Sequence, residues 1–234
     1  MKILSIESSA KSASTALTED GRVLASAFQC TALTHSRTLM PMVESMLKNA
    51  EMTIEEIDAF AVAAGPGSFT GLRIGIAALK GLAWATDKPC FGVSTLEAMA
   101  YNAVQSDALL ICAMDARRGQ IYNALFRAKG GKLTRLCADR AIALADLADE
   151  LKPNTEPKIV LGDGGALCRQ YLSEAGIDCT LAKDPLLYQN AIGVSFAAEQ
   201  AKERGEAKTA QALLPFYLRP AQAQTLAERK NKEK

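Results

Sequence analysis

The order of strand and helix signals restricts this chain more than any single motif, because the same series occurs twice. Ile3–Ile6, Ser14–Leu17 and Val23–Phe28 read as three short strands, the last two joined by Glu19-Asp20-Gly21, a hairpin turn. A helix over Ser36–Asn49 carries Leu39, Val43, Met46 and Leu47 at helical spacing, with Pro41 tolerable only in its first turn. Strand Asp58–Ala64, helix Thr70–Ala85 and strand Pro89–Val93 follow, and Ser94-Thr95-Leu96-Glu97 is a capping box that starts another helix. The second half offers strands at Leu109–Met114, Ile121–Arg127 and Lys132–Cys137. Helix Ile142–Leu151, strand Lys158–Leu161, helix Leu167–Ala175 and strand Cys179–Ala182 complete it. Each half reads βββαβαβα.

Three meandering strands followed by crossovers give a mixed five-stranded sheet with helices on both faces. The expected fold class is α/β: a duplicated ribonuclease-H-like fold, the actin/hexokinase-like ATPase architecture. Simple alternation of strands and helices would have indicated a Rossmann sheet. The expected division is an N-terminal lobe over 1–104, a C-terminal lobe over 105–190, a closing helix within 191–219 that packs back on the first lobe, and a flexible charged tail over 220–234. Within 191–219, Ile192–Arg204 is the amphipathic stretch and Gly205 its stop.

A chain of 234 residues that is 49% hydrophobic can bury a large core, and a net charge of +1 gives no global attraction to nucleic acid or membrane. Ser5 and Glu7 interrupt the first apolar run, so it is no signal peptide, and no run is long enough to span a bilayer. A cytoplasmic location is expected. The six cysteines form no Cys-x-x-Cys pair and are expected to be mostly buried, reduced thiols. The single histidine, His35, excludes any site that needs two and leaves no ligand set for zinc hydrolysis; as the start of a helix it reads as a capping or surface residue.

Gly65-Pro66-Gly67-Ser68-Phe69-Thr70-Gly71-Leu72-Arg73-Ile74-Gly75 joins a strand to a helix, where backbone N–H groups can cradle an anion. No Lys-Ser/Thr pair follows the glycines, so it is no P-loop, and the spacing is wrong for a dinucleotide fingerprint. A tight turn with close helix packing is the bland alternative to anion binding. The helix behind it is apolar almost all round and must be covered on more than one side. Either it and the preceding helix, with Met40, Met42 and Met46, cover each other, or a second subunit covers them, the glycines then letting the helix approach that subunit.

Ile3-Leu4-Ser5-Ile6-Glu7-Ser8-Ser9, His35-Ser36-Arg37-Thr38-Leu39-Met40-Pro41, the Gly65–Gly75 block, Gly92-Val93-Ser94-Thr95-Leu96, Asp115-Ala116-Arg117-Arg118-Gly119 and Phe216-Tyr217-Leu218-Arg219 together resemble the TsaB (YeaZ) family. The resemblance implies a catalytically silent relative of TsaD, within the bacterial machinery that makes threonylcarbamoyladenosine at position 37 of tRNA. It implies pairing with a TsaD-like transferase subunit, a TsaE-like ATPase joining the pair, a homodimer when alone, and only indirect or weak contact with tRNA. With the helix pattern, it points to a partner interface at Leu39, Met42, Val43, Met46, Gly71, Arg73, Gly75 and Ala78.

The competing reading is a stand-alone ATP-dependent enzyme. Enzymes of this fold place a carboxylate after the first strand of each lobe to hold Mg²⁺. Glu7, with Ser8 beside it, and Asp115 stand there, and Asp163-Gly164-Gly165 resembles a turn that abuts a nucleotide. ATP or ADP with Mg²⁺ at a weak or shared site is therefore a candidate cofactor. Against turnover, Lys11 falls where the first hairpin would carry an acid. No resident metal and no catalytic residue is assigned.

Overall fold

The computed structural model describes residues 1–117, 119–184 and 186–219; the expected tail over 220–234 lies outside them. Two sheets carry the chain. The first has the order β3-β2-β1-β4-β5, from β1 (Lys2–Glu7), β2 (Ala13–Glu19), β3 (Arg22–Gln29), β4 (Ala59–Gly65) and β5 (Cys90–Ser94). β1 to β3 form an antiparallel meander, and β4 and β5 add parallel to β1. This is the mixed sheet that the strand order implies.

The second sheet repeats the plan with β6 (Leu109–Asp115), β7 (Gln120–Lys129), β8 (Lys132–Arg135), β9 (Arg140–Ala143), β10 (Lys158–Leu161) and β11 (Thr180–Leu181), in the order β11-β10-β6-β7-β8, with β9 also on β7. Six segments therefore replace the expected five. β8 pairs with Phe126–Lys129 and β9 with Gln120–Asn123, both antiparallel along the same edge of β7. They are one edge strand broken between Leu136 and Asp139. The break keeps its backbone bonded: Leu136 N–H donates to the Leu125 carbonyl at 2.8 Å, and Leu125 N–H donates to Cys137 Sγ at 3.2 Å. The ten-residue β7 offers more edge than β8 can cover, and unpaired backbone groups are costly. Arg140–Ala143 are drawn into that edge, so the expected helix from Ile142 begins only at Leu144.

The first sheet is buried on both faces, and its odd and even residues go to different cores. Leu4, Ile6, Phe60 and Val62 pack with Leu39, Val43 and Met46 of α1 (His35–Asn49) and Ile76 and Leu79 of α2 (Phe69–Thr86). Ile3, Ala59, Ala61 and Ala63 pack with Ala98 of α3 (Thr95–Tyr101) and Val194, Ala197 and Ala198 of α6 (Ala191–Glu203). This period of two places α1 and α2 on one face and α3 and α6 on the other. Small residues bring α6 close: its Gly193 sits against the Ala98 carbonyl, and Ser195 Oγ donates to Ser5 Oγ at 2.7 Å.

In the second sheet, Leu109, Ile111 and Val160 pack on Leu147 of α4 (Leu144–Leu151) and Cys168 and Leu172 of α5 (Gly165–Glu174). Its other face packs Leu110, Cys112, Met114 and Phe126 on Leu96, Met99 and Ala100 of α3. α3 therefore contributes side chains to both sheets and lies between them. Ser94 Oγ caps it by accepting from Glu97 N–H at 3.1 Å and donates to Asp139 in the edge break at 2.6 Å. The expected capping box is only half formed, because the Glu97 carboxylate turns to Arg135 at 3.0 Å.

α6 stops at Glu203, one residue short of the expected end, because Gly205 takes φ +72° and turns the chain. Residues 206–219 then run as a strap with one turn, closed by Ala212 N–H on the Thr209 carbonyl at 3.1 Å. Lys208 bridges to Cys90 on the free edge of β5, and Leu213 is fully buried against α2 and the first sheet. The cysteines among the described residues are free thiols, with Cys90, Cys112, Cys168 and Cys179 buried. No helix among the described residues is long and apolar enough to cross a membrane.

Candidate functional site

The glycine-rich turn begins where β4 ends. Gly65 takes φ +136°, and the space a side chain would need is held by the Phe216 carbonyl. A Cβ on Gly67 would lie 2.6 Å from the Ser9 carbonyl, and Cβ atoms on Gly71 and Gly75 would strike the carbonyl and the hydroxyl of Ser8. Hydrogen bonds close the same contact. Ser68 N–H donates to the Ser9 carbonyl at 2.6 Å, and Ser8 Oγ donates to the Gly71 carbonyl at 2.9 Å. The expectation that these glycines admit another subunit is therefore corrected. They let α2 approach the first hairpin turn of its own chain, and only Gly81 in that helix faces open space.

This arrangement forms one wall of a cleft of about 620 Å³. Ser9, Lys11, the turn from Pro66 to Thr70, Asp115, Tyr122 and Asp163 line it, and Phe216–Arg219 cross it. The crossing is held at both ends. Phe216 N–H donates to the Ala64 carbonyl at 2.7 Å, the Tyr217 ring stacks on Phe69 at 4.8 Å, and Arg219 Nη1 donates to the Ala116 carbonyl of the second half at 2.9 Å. Phe216-Tyr217-Leu218-Arg219 is thus a strap between halves. Sequence reasoning registered it only as a motif, although Leu213, Phe216 and Tyr217 beyond a helix-stopping Gly205 already signalled an anchored segment.

The six candidate nucleotide residues separate. Asp115 and Asp163 line the cleft. Glu7 is fully buried, and one carboxylate oxygen accepts from Ser9 N–H while the other has no partner among the described residues. Burial pushes its pKa up to about 7; the charge of Asp163 adds to the rise, and hydrogen bonds from Ser9 and Ser8 oppose it. Asp163 is raised as well, chiefly by burial and against the hydrogen bond it accepts from Gln189 Nε2 at 3.0 Å. Ser8 is committed to Gly71. Gly164 would place a Cβ 2.8 Å from Asp115 N, and Gly165 one 3.0 Å from Leu181, so both serve packing. Asp115 is exposed and accepts from Arg117 N–H at 2.7 Å; of the Asp115–Gly119 motif, Arg118 lies outside the described residues. His35 hydrogen-bonds the Ala10 carbonyl at 2.7 Å and so steadies the first hairpin turn, whose Ser9, Ala10 and Lys11 line the cleft. No group of three His, Cys, Asp or Glu side chains that could hold a metal occurs among the described residues.

The eight candidate interface residues separate too. Leu39, Val43 and Met46 are buried in the core of the first half, and Gly71 and Gly75 close on Ser8. Met42 and Ala78 are half-buried, and Arg73 is exposed. α1 and α2 cover each other in part, because Ile74, Ala78 and Leu82 pack on the core they share. What remains open on α2 is a stripe of Arg73, Ala77, Gly81 and Trp84, the last 73% exposed. Such a stripe has too little polarity for a helix face that only water covers.

The family model described as "TsaD: tRNA N6-adenosine threonylcarbamoyltransferase" matches residues 29–225. The chain is 36% identical over 228 residues, 96% of each chain, to the "tRNA threonylcarbamoyladenosine biosynthesis protein TsaB" of Bacillus subtilis (strain 168). It is 39% identical over 129 residues, 54% of this chain and 55% of the relative, to the protein of the same name from Escherichia coli (strain K12). Among solved structures, an uncharacterized Pseudomonas aeruginosa protein "with similarity to peptidase YEAZ" superposes with a TM-score of 0.81 at 28% identity, covering 93% of this chain and 99% of that one.

Proposed function

We propose a function that proceeds from one fact: this chain belongs to the TsaB (YeaZ) family of tRNA threonylcarbamoyladenosine biosynthesis proteins. It is a cytoplasmic, non-catalytic subunit of the complex that installs this group at position 37 of tRNA. It binds and supports a TsaD-like transferase subunit, together with a TsaE-like ATPase, and pairs with itself when that subunit is absent. Contact with tRNA is made by the complex, with this chain a minor contributor. The single observation that carries the reading is end-to-end likeness to a TsaB protein over 96% of both chains.

Two features support the silent role. Glu7 is fully buried, and of the six candidate nucleotide residues only Asp115 and Asp163 line the cleft. The open stripe on α2 supports a docking role. With Leu39, Val43, Met46, Gly71 and Gly75 turned inward, the docking surface is carried by Met42, Arg73, Ala77, Ala78 and Trp84.

A stand-alone ATP-dependent enzyme is the second reading, favoured by Asp115 and Asp163 in one cleft with Lys11. One experiment separates the two. The full chain is expected to co-purify with its TsaD-like subunit, and Ala77→Glu to reduce that recovery at least tenfold while leaving the melting temperature unchanged. Mg²⁺-dependent ATP hydrolysis by the pure chain, abolished by Asp115→Asn, would replace the subunit reading with the enzymatic one.

A further inference from the structure

Arg73 stands at the open stripe of α2, and its guanidinium is held on two sides. It lies over the Phe69 ring at 3.7 Å, and its Nε donates to the Tyr217 hydroxyl at 3.0 Å. Phe69 and Tyr217 are themselves stacked at 4.8 Å. The strap carrying Tyr217 is anchored on either side, by Phe216 N–H on the Ala64 carbonyl and by Arg219 on the Ala116 carbonyl. Among the described residues, no carboxylate pairs with Arg73 and no acceptor takes its two terminal Nη groups.

An exposed arginine normally samples many rotamers, and ordering it on binding costs affinity. Here stacking and the Nε bond fix the plane in advance and leave the Nη pair to meet both oxygens of one oxyanion. Its exposed neighbours along the stripe, Ala77, Gly81 and Trp84, carry no charge, and Lys80, seven residues on and on the same face, is half-buried and turned to the Gln211 carbonyl at 3.3 Å.

We propose that Arg73, locked in place by Phe69 and the strap residue Tyr217, is a preorganised receptor for a carboxylate that the TsaD-like subunit presents amid an otherwise uncharged contact. The proposal rests on the docking surface described under Proposed function. It makes Phe69 and Tyr217 positioning residues for binding, although both line the cleft on the other side of the turn. A carboxylate is favoured over a nucleic-acid phosphate because the exposed side chains beyond Arg73 are apolar and Lys80, the further cation on that face, is engaged by its own chain, which suits a protein surface. A phosphate backbone is served instead by rows of basic side chains.

The test measures affinity of the full chain for the TsaD-like subunit, with tRNA retention by the pair measured in parallel. Arg73→Lys keeps the charge and loses the paired Nη geometry; Tyr217→Phe keeps the stack and loses the Nε partner. The proposal expects about a tenfold or greater loss for Arg73→Lys and a loss of several-fold for Tyr217→Phe, both with unchanged melting temperatures. Binding of Arg73→Lys within twofold of the parent overturns it and leaves the subunit reading intact. A fall in tRNA retention with subunit affinity unchanged also overturns it. If the parent itself does not bind the subunit, the docking reading and this proposal fall together.

Discussion

Replacing Gly71 by Ala is expected to destabilise this protein by about 3 kcal/mol, a large effect for one added methyl group. The Cβ would enter the space of the Ser8 carbonyl, which is backbone and cannot swing aside. Ser8 cannot retreat alone either, since its hydroxyl donates to the Gly71 carbonyl and the adjoining Ser9 carbonyl accepts from Ser68. The whole first hairpin turn must move off α2. Gly81→Ala, ten residues later in the same helix, is the internal control. Its Cβ would meet nothing within 4 Å, so helix propensity alone acts and stability rises by about 1 kcal/mol. Urea unfolding of the two variants reads both signs. Equal effects would show that helix propensity, not the contact with Ser8, governs the glycines of α2.

Glu7→Gln is expected to stabilise the protein increasingly as pH rises. The carboxyl of Glu7 titrates near 4.5 when unfolded and at about 7 when folded, because burial penalises its charge. Between those values the unfolded chain has released a proton that the folded chain keeps, so stability falls as pH rises through this window. Below pH 4.5 both states are protonated and the penalty vanishes; above about 7 it is complete. The difference is about 3 kcal/mol at most. Stability of the parent relative to Glu7→Gln should thus decline from pH 4.5 to pH 7.5 and then level. Asp163, whose pKa is also raised, gives each protein a slope of the same sign that cancels in the comparison. A parent and variant that track each other across this window would mean that Glu7 is not held in a desolvated site.

Much of this architecture is legible in the sequence, because periodicity reports what each element buries. The all-apolar β4 and the alternation of Ile3 with Leu4 require cover on both faces, and the repeated βββαβαβα order then leaves few topologies. What periodicity does not report is which neighbour supplies the cover. Leu39, Val43 and Met46 read equally well as a subunit contact or as core, and they are core. The glycines of α2 signalled close approach correctly but not its object, Ser8. The edge break at Leu136–Asp139 carries no glycine or proline to mark it, and it is set by the length of β7. The strap has neither helical nor strand periodicity, so its hold on Arg73 and Ala116 became visible only through contacts.

The cleft and the open stripe of α2 are separate surfaces joined by the strap. Carboxylates that would serve an enzyme are in the cleft or buried beneath it, while the side chains that suit a partner are on α2. We propose that function lies with the second surface. The most direct measurement is the threonylcarbamoyladenosine content of tRNA in cells depleted of this protein and supplied with variants. The parent, Glu7→Gln and Asp115→Asn are all predicted to restore the modification, and Ala77→Glu to fail. Unchanged modification after depletion would contradict the account, as would folded Glu7→Gln or Asp115→Asn protein that binds the TsaD-like subunit yet restores nothing.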